Sequence, residues 1–417
     1  MEVKYNVGSL LITLPTRIDA KNAAAFEKEL FAVEQLHDAE EILLDAKNLA
    51  YISSLGLRVI LKLAKKIKTT PTLMVNASNE VYNVFDVTGM TSFIKVLRKR
   101  RSVNLTSTKL LAFGMFGSVY RVNEEQILKV FYDLTTERKI QEIVDTMRIA
   151  FTHGIPTILP FEVVKTEKGF GILLELLNAQ VLSTLMHDNP KDFDRHVIEM
   201  VKLAKTLADT EFEEYLLKNR NDFMTEVVES AAEYLTPEEI SVLKSYVDLV
   251  PRRNSGVHGD LHARNIMITD GKPFLIDMDE FGCGHPVWDI AGTHLIYQMI
   301  PHFPEEIFRK QTGLEGISLA DFYFKMIRFT FDEADICWEK FFNEYFNDYS
   351  AREKNYILQA VKFYSRFKLI IFSIARCHVE KNNSTRLAMQ VDVIRYYLKE
   401  MQAFDIGKLI KAFEVWK

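Results

Sequence analysis

Between Val257 and Ala291 the chain reads V-H-G-D-L-H-A-R-N-I-M-I, then D-G-K-P-F-L-I-D-M-D, then P-V-W-D-I-A. A short polar loop is flanked by apolar, strand-like runs, Asp260 and Asn265 stand five residues apart, and Asp277 ends the next apolar run. These residue types suit phosphoryl transfer, which needs a carboxylate to orient or deprotonate the acceptor hydroxyl and oxygen ligands to hold Mg2+ against nucleotide phosphates. Asp260 suits the first task; Asn265 and Asp277 suit the second. Taken singly, H-G-D is a turn and Asp277 a cap, because Gly and Asp are ordinary loop residues. The ordered set is what points to chemistry.

Residues His258 to Asn265, Leu275 to Asp277 and Pro286 to Ala291 resemble the catalytic-loop, metal-Asp and helix-start motifs of the aminoglycoside phosphotransferase and choline kinase family. H-G-D-L-H, in place of the H-R-D of eukaryotic protein kinases, is what points there. The resemblance covers about residues 105 to 300, with the tail following loosely. It implies an α+β bilobal protein kinase-like fold with a large helical C-lobe, ATP as phosphoryl donor, Asp260 as catalytic base, Asn265 and Asp277 as Mg2+ ligands, and Asp289 as a brace of the loop.

The elements that would position a nucleotide lie upstream, in L-L-A-F-G-M-F-G-S-V-Y-R-V. Gly114 and Gly117 fall on the second and third positions of a G-x-G-x-x-G-x-V loop, Ala112 replaces the first Gly, and Val119 completes the pattern. Glycines let the backbone approach phosphates closely; a plain β-turn is the other reading. The strand Ile127 to Phe131 then presents Lys129, where the resemblance implies the lysine that contacts the α- and β-phosphates. The helix from Thr136 to His153 offers Glu142 as its ion-pair partner, preferred over Glu137 because of its register to Gly154; both could also be solvated charges. The resemblance makes Glu175, Leu176 and Leu177 the hinge whose backbone binds adenine. From Asp192 onward the periodicity is helical. In the aromatic tail, Asp332, Glu333 and Asp335 form either a solvated acidic face or a site for a cationic acceptor.

The first hundred residues form a separate unit. Leu10 to Leu14, Ile42 to Leu44 and Thr72 to Val75 read as strands. Asp19 could cap a helix from Ala20 to Val33, Ser54 opens a second through Lys68, and Asn79 to Asp86 is a third, closed by Gly89. Strands alternating with helices argue for a small α/β layer. The segments R-I-D-A-K-N-A, Y-I-S-S-L-G-L-R-V and V-Y-N-V-F-D-V-T-G-M resemble the STAS domain of anti-sigma factor antagonists through almost all of residues 1 to 97. The resemblance implies a regulatory serine phosphorylated by a partner kinase, with Ser54 the first choice and Ser53 the second. A helix N-terminus would receive the phosphate favourably, although Ser54 could equally be a helix cap. The sequence departs from the D-S-[S/T]-G form: Ser53 stands where the Asp would be, and Leu55 precedes Gly56.

With 417 residues the chain suggests two or three domains. A hydrophobic content of 48% with 26% charged residues is ordinary for a globular protein, and a net charge of -5 gives no reason to expect nucleic acid or a membrane as partner. Cys283, Cys337 and Cys377 are too few and too widely spaced for a disulfide framework or zinc site. No apolar run approaches a membrane span, and the chain reads as cytoplasmic. The basic run Arg98–Arg101 reads as a linker, which divides the chain into a STAS-like domain (1–100), a kinase-like N-lobe (101–177) and a helical C-lobe (178–417).

Two functions remain open. One is an ATP- and Mg2+-dependent phosphotransferase acting on a small-molecule hydroxyl acceptor, gated by an α/β STAS-like regulatory module. The other is a partner-switching protein whose STAS half docks an anti-sigma factor or other regulatory protein, while its kinase-like half binds nucleotide or phosphorylates protein serine.

Overall fold

The apolar runs of the first hundred residues assemble as the alternation of strands and helices requires. A computed structural model describes residues 1–6, 8–37, 39–67, 70–113, 117–132 and 136–416. It separates into two units, Met1–Asn104 with Val164–Glu167, and Leu105–Val163 with Lys168–Lys417.

In the first unit a five-stranded sheet runs in the order Glu2–Asn6, Ser9–Thr13, Glu41–Asp45, Thr72–Ala77, Lys95–Arg98. Its first pair is antiparallel and the others are parallel. Helices Ala23–Phe31, Ser54–Lys66 and Asn79–Val87 supply Phe26, Leu30, Ile60, Leu63 and Phe85 to a core that also holds Leu10, Ile12, Ile42, Leu44 and Met74. The first helix begins at Ala23, later than its sequence suggests. Asp19 folds into a turn instead, accepting from the Lys21 amide at 2.9 Å, while its own amide donates to Asn22 Oδ1 at 2.7 Å. Asn22 is then the residue that precedes the helix.

The second helix settles which serine is the cap. Ser53 is extended at φ -89°, ψ 172°, and its hydroxyl accepts from the Gly56 amide at 3.4 Å. Ser54 is the first helical residue and is exposed. Gly56 is needed for close approach: a Cβ there would lie 2.7 Å from Ile18 Cγ2, 2.8 Å from Ile52 Cγ1 and 2.9 Å from the Ile18 carbonyl oxygen.

The second unit opens with most of a five-stranded sheet, in the order Pro160–Thr166, Gly169–Glu175, Gln126–Phe131, Gly117–Arg121, Lys109–Phe113. The strand carrying Lys129 is central, antiparallel to both neighbours. Two glycines flank it: a Cβ on Gly117 would sit 2.4 Å from the Val130 carbonyl oxygen, and one on Gly171 would sit 2.6 Å from that of Lys129. Helix Glu137–Thr152, capped by Thr136, buries Ile140, Val144 and Met147. The rest is largely helical, built around the 29-residue helix Ala351–Val379. Interrupting the helices is a three-stranded sheet of Gln180–Val181, Ile266–Thr269 and Lys272–Leu275. No helix among the described residues is long and apolar enough to cross a membrane.

The cap geometry predicts a split between two adjacent serines. Ser53→Ala should cost the first unit about 1 kcal/mol by removing an N-cap acceptor. Ser54→Ala, at an exposed first-turn position, should change its stability by less than about 0.5 kcal/mol. Gly56→Ala should cost about 1–3 kcal/mol through overpacking. Chemical denaturation of the three variants checks the ranking.

Candidate active site

The segment His258–Ala263 has no ladder to satisfy its backbone, so side chains must do so. One helix supplies most of them. Asp289, in the first turn of Val287–His294, accepts from the amides of His258 at 2.8 Å and Gly259 at 2.7 Å. One turn on, Thr293 Oγ1 donates to the Leu261 carbonyl at 2.8 Å, and Tyr297 Oη accepts from the Ala263 amide at 2.8 Å. Tyr297 lies in a π-helical turn, Leu295–Met299, that continues this helix. Such turns inside helices are frequent at functional sites. Asp289 thus braces the loop as expected, whereas Thr293 and Tyr297 were not anticipated. Their spacing of four and eight residues from Asp289 was the available signal.

On this scaffold Asp260 is presented with about half of its side chain open to water, 51% exposed. Its Oδ2 accepts from Asn265 Nδ2 at 3.0 Å and lies 3.3 Å from His262 Nε2. Desolvation by the surrounding protein, the largest influence, would raise its pKa; the combined pull of His262, Lys368 and His258 outweighs it and holds the carboxyl below the usual Asp value. Asp260 is therefore ionised at neutral pH.

The Asn265 amide nitrogen also donates to the Asp260 carbonyl at 2.9 Å. Spending the nitrogen on two Asp260 oxygens leaves Oδ1 as the amide atom that a hard cation could bind. Asp277 is brought beside it by the strand pair Ile266–Thr269 and Lys272–Leu275, extended by the Ile276 amide donating to the Asn265 carbonyl at 2.9 Å. Asp277 adopts a left-handed backbone, φ 61°, ψ 52°, and its side chain is 49% exposed. A non-glycine residue held there is strained, and strain of this kind clusters at functional sites. Asn265 and Asp277 could hold a divalent ion that keeps most of its coordination for water and ligand oxygens, the usual Mg2+ pattern. No cluster of three or more His, Cys, Asp or Glu set for a metal occurs among the described residues.

Lys129 reaches this corner from the small sheet. Its Nζ lies 2.5 Å from Asp277 Oδ1 and 2.6 Å from Asp279 Oδ2. Burial, the largest influence, favours the neutral amine, but the two carboxylates together raise its pKa. Burial also raises that of Asp279, helped by the charge of Asp277. Asp279 was not singled out in the sequence, although its spacing in D-M-D was visible.

Glu142 is a correction. It is not the partner of Lys129; it sits 3.5 Å from Arg138 on its own helix, 54% exposed. Helix geometry explains why, because Ile140 and Val144 are buried and the residue midway between them faces the opposite side. Glu137, one turn before Ile140, lies on the buried stripe. Gly114 lies outside the described residues. Gly117 and Val119 belong to the strand beside Lys129, with Val119 opposite it in register, so the close approach that demands Gly117 is to the Val130 carbonyl. At the expected hinge, the Glu175 amide bonds the Leu159 carbonyl at 3.1 Å and the Leu176 amide that of Glu125 at 2.8 Å. That commits Glu175 and Leu176 as donors, so Leu177 is the better candidate to meet a base.

Two of the three tail carboxylates are engaged within the fold. Glu333 closes a capping box with Thr330 and meets His187 Nδ1 at 2.8 Å, while Asp335 accepts from Gln298 at 2.6 Å. His285 is buried and its pKa is depressed to about 3 by that burial; its Nδ1 accepts from the Val287 amide at 3.0 Å. That bond ties His285 to the first residue of helix Val287–His294.

Asp289→Ala should leave the amides of His258 and Gly259 buried without acceptors. The expected cost is about 2–5 kcal/mol of unfolding free energy in the second unit. Asp260→Asn, at a half-exposed site, should change it by no more than about 1 kcal/mol. Urea denaturation of the two variants beside the wild type makes the comparison.

The profile described as Phosphotransferase enzyme family matches residues 108–323, and that of the STAS domain matches residues 1–103. No curated protein matches the chain. Among solved structures the chain is similar to a choline/ethanolamine kinase family protein from Mesorhizobium loti, at 11% identity over 73% of this chain and 91% of that one, TM-score 0.44. It is also similar to aminoglycoside phosphotransferase APH(2'')-IIa in complex with gentamicin, at 15% identity over 81% and 100%, TM-score 0.43. A third is ADP-bound aminoglycoside phosphotransferase APH(2'')-Ib, at 15% identity over 76% and 99%, TM-score 0.40. On its family profiles, this chain belongs to the phosphotransferase enzyme family and carries a STAS domain at its amino-terminal end.

Proposed function

We propose that the protein is an ATP- and Mg2+-dependent phosphotransferase that moves the γ-phosphoryl group of ATP to the hydroxyl of a small-molecule alcohol, with the STAS domain as a regulatory module. The observation that carries this reading is the half-exposed Asp260 carboxylate, kept ionised on a side-chain-braced loop and bonded to the amide of Asn265.

In this reading Asp260 receives the acceptor hydroxyl and takes its proton as the oxygen attacks the γ-phosphorus. The new O–P bond forms as the bond to the bridging oxygen of ADP breaks. Lys129 exchanges its present carboxylate partners for the α- and β-phosphates. Asn265 and Asp277 would hold Mg2+, which when bound supplies charge neutralisation of the phosphates. The stretch of sequence that holds Gly114, Gly117 and Val119 would cover the phosphates, and the backbone near Glu175 and Leu177 would meet adenine. Because Asp260 is ionised throughout the neutral range, the pH–rate profile should show no acid limb from it near neutrality.

A second reading is favoured by one observation, the exposure of Ser54 at the start of its helix while Ser53 caps it. That leaves the Ser54 hydroxyl available to a kinase, and the STAS domain would then dock an anti-sigma factor or another regulatory protein according to its phosphorylation state.

Both readings meet in one experiment. Purified protein is incubated with γ-labelled ATP and Mg2+, without acceptor and then with a panel of alcohols, beside Asp260→Asn and Ser54→Ala. The phosphotransferase reading expects turnover that falls about 10²–10⁴-fold in Asp260→Asn; full activity in that variant refutes it. Label on the wild-type chain that is lost in both variants makes Ser54 the acceptor. Calorimetry supplies the metal arm: Asp277→Ala should abolish Mg2+-dependent ATP binding, and unchanged affinity contradicts the role of Asp277.

A further inference from the structure

Helix Ala351–Val379 turns an apolar face inward, with Phe363, Tyr364, Phe367 and Leu369 buried, yet one residue of that inner region is Lys368. A partly buried lysine amid aromatic side chains is costly unless its ammonium has partners. Here the partners are backbone carbonyls: Nζ donates to Gly259 O, and lies 3.3 Å from Trp288 O. Asp260, Asp289 and Glu280 are the carboxylates whose charge it feels, with Arg220 the opposing cation.

The Gly259 carbonyl belongs to the peptide bond that leads into Asp260. The other end of that peptide is also held, since the Asp260 amide donates to His258 Nδ1 at 3.2 Å. Gly259 itself has φ +91°, and a Cβ on it would lie 2.7 Å from Glu280 Cβ. Glu280 is in turn fixed by Arg220, whose Nη1 meets its carbonyl at 2.8 Å and whose Nη2 meets its carboxylate at 2.9 Å. A peptide plane gripped at both ends, next to a glycine that packs without clearance, has one orientation available.

We infer that Lys368 is a positioning residue: by holding the Gly259 carbonyl it sets the plane of the Gly259–Asp260 peptide and thereby aims the Asp260 carboxylate. It touches no reacting atom. The inference rests on the reading of Asp260 as the base, and it assigns the long carboxy-terminal helix a part in the site that its distance in sequence conceals.

Two variants of the full chain test it by different physical routes. Lys368→Met keeps the length of the side chain and removes the donor. Gly292→Ala leaves Lys368 intact but places a Cβ 2.9 Å from its Nζ, pushing the ammonium off the carbonyl; alanine is the better helix former, so loss of the helix would not explain an effect. Amide hydrogen exchange should accelerate by about tenfold or more over residues 258–263 in both variants and stay unchanged in the rest of helix 351–379. Asp260-dependent ATP turnover should lose about 10–100-fold in kcat, with KM for MgATP unchanged. Unchanged exchange and kcat in both variants would overturn the inference, as would exchange that rises equally throughout the helical lobe. Wild-type protein without any Asp260-dependent turnover would sink the reading of the site instead. The exchange measurement then decides the role of Lys368 by the same local-or-global criterion.

Discussion

The Asp260 loop depends on one constraint, that an irregular buried backbone must find partners for its polar groups. His258, Gly259, Leu261 and Ala263 are satisfied by Asp289, Thr293 and Tyr297 from a single helix and its π-helical continuation. On a regular helix a step of eight residues turns about 80° away from the starting position. The π turn at Leu295–Met299 winds less per residue and keeps Tyr297 on the side of the loop. Replacing a strand ladder by side chains frees the loop from sheet geometry, so that a carboxylate can project from it.

A second constraint is electrostatic. Asp260, Asp277, Asp279, Glu280 and Asp289 crowd one region, and like charges at close range are unfavourable. Lys129, Lys368 and Arg220 are interleaved with them. The outcome differs by position: burial raises Asp279 and Asp289, whereas Asp260 is pulled down by His262, Lys368 and His258 against partial desolvation. The group expected to accept a proton is held ionised. Lys129, bound to two carboxylates, balances charge where phosphates would otherwise be met, so an incoming nucleotide and metal would have to exchange partners with it rather than fill a neutral space.

Much of this was legible in the sequence where contacts are local or spacing is fixed by chemistry. Asp260 and Asn265 belong to one loop, Asp277 ends the strand paired with the one after that loop, and Asp289 follows within one helix start. The alternation of strands and helices in the first hundred residues likewise reads as a small α/β layer. Legibility fails where a choice turns on a face or on a long-range contact. Glu142 and Glu137 lie on one helix, and only the buried stripe of Ile140 and Val144 tells them apart. Ser53 and Ser54 are chemically alike, and the backbone angle makes Ser53 the cap. Lys368 is more than a hundred residues from Gly259 in sequence, |i−j| 109, and a lone lysine on a long helix ordinarily reads as solvated.

The most direct test of the account is a crystal structure of the full chain with Mg2+ and a non-hydrolysable ATP analogue. The account predicts metal on Asn265 Oδ1 and Asp277, Lys129 transferred from Asp277 to the phosphates, and a γ-phosphate facing the Asp260 carboxylate across room for one hydroxyl. Nucleotide bound elsewhere, or Lys129 still joined to Asp277 and Asp279 with Asp260 remote from the γ-phosphate, would contradict it.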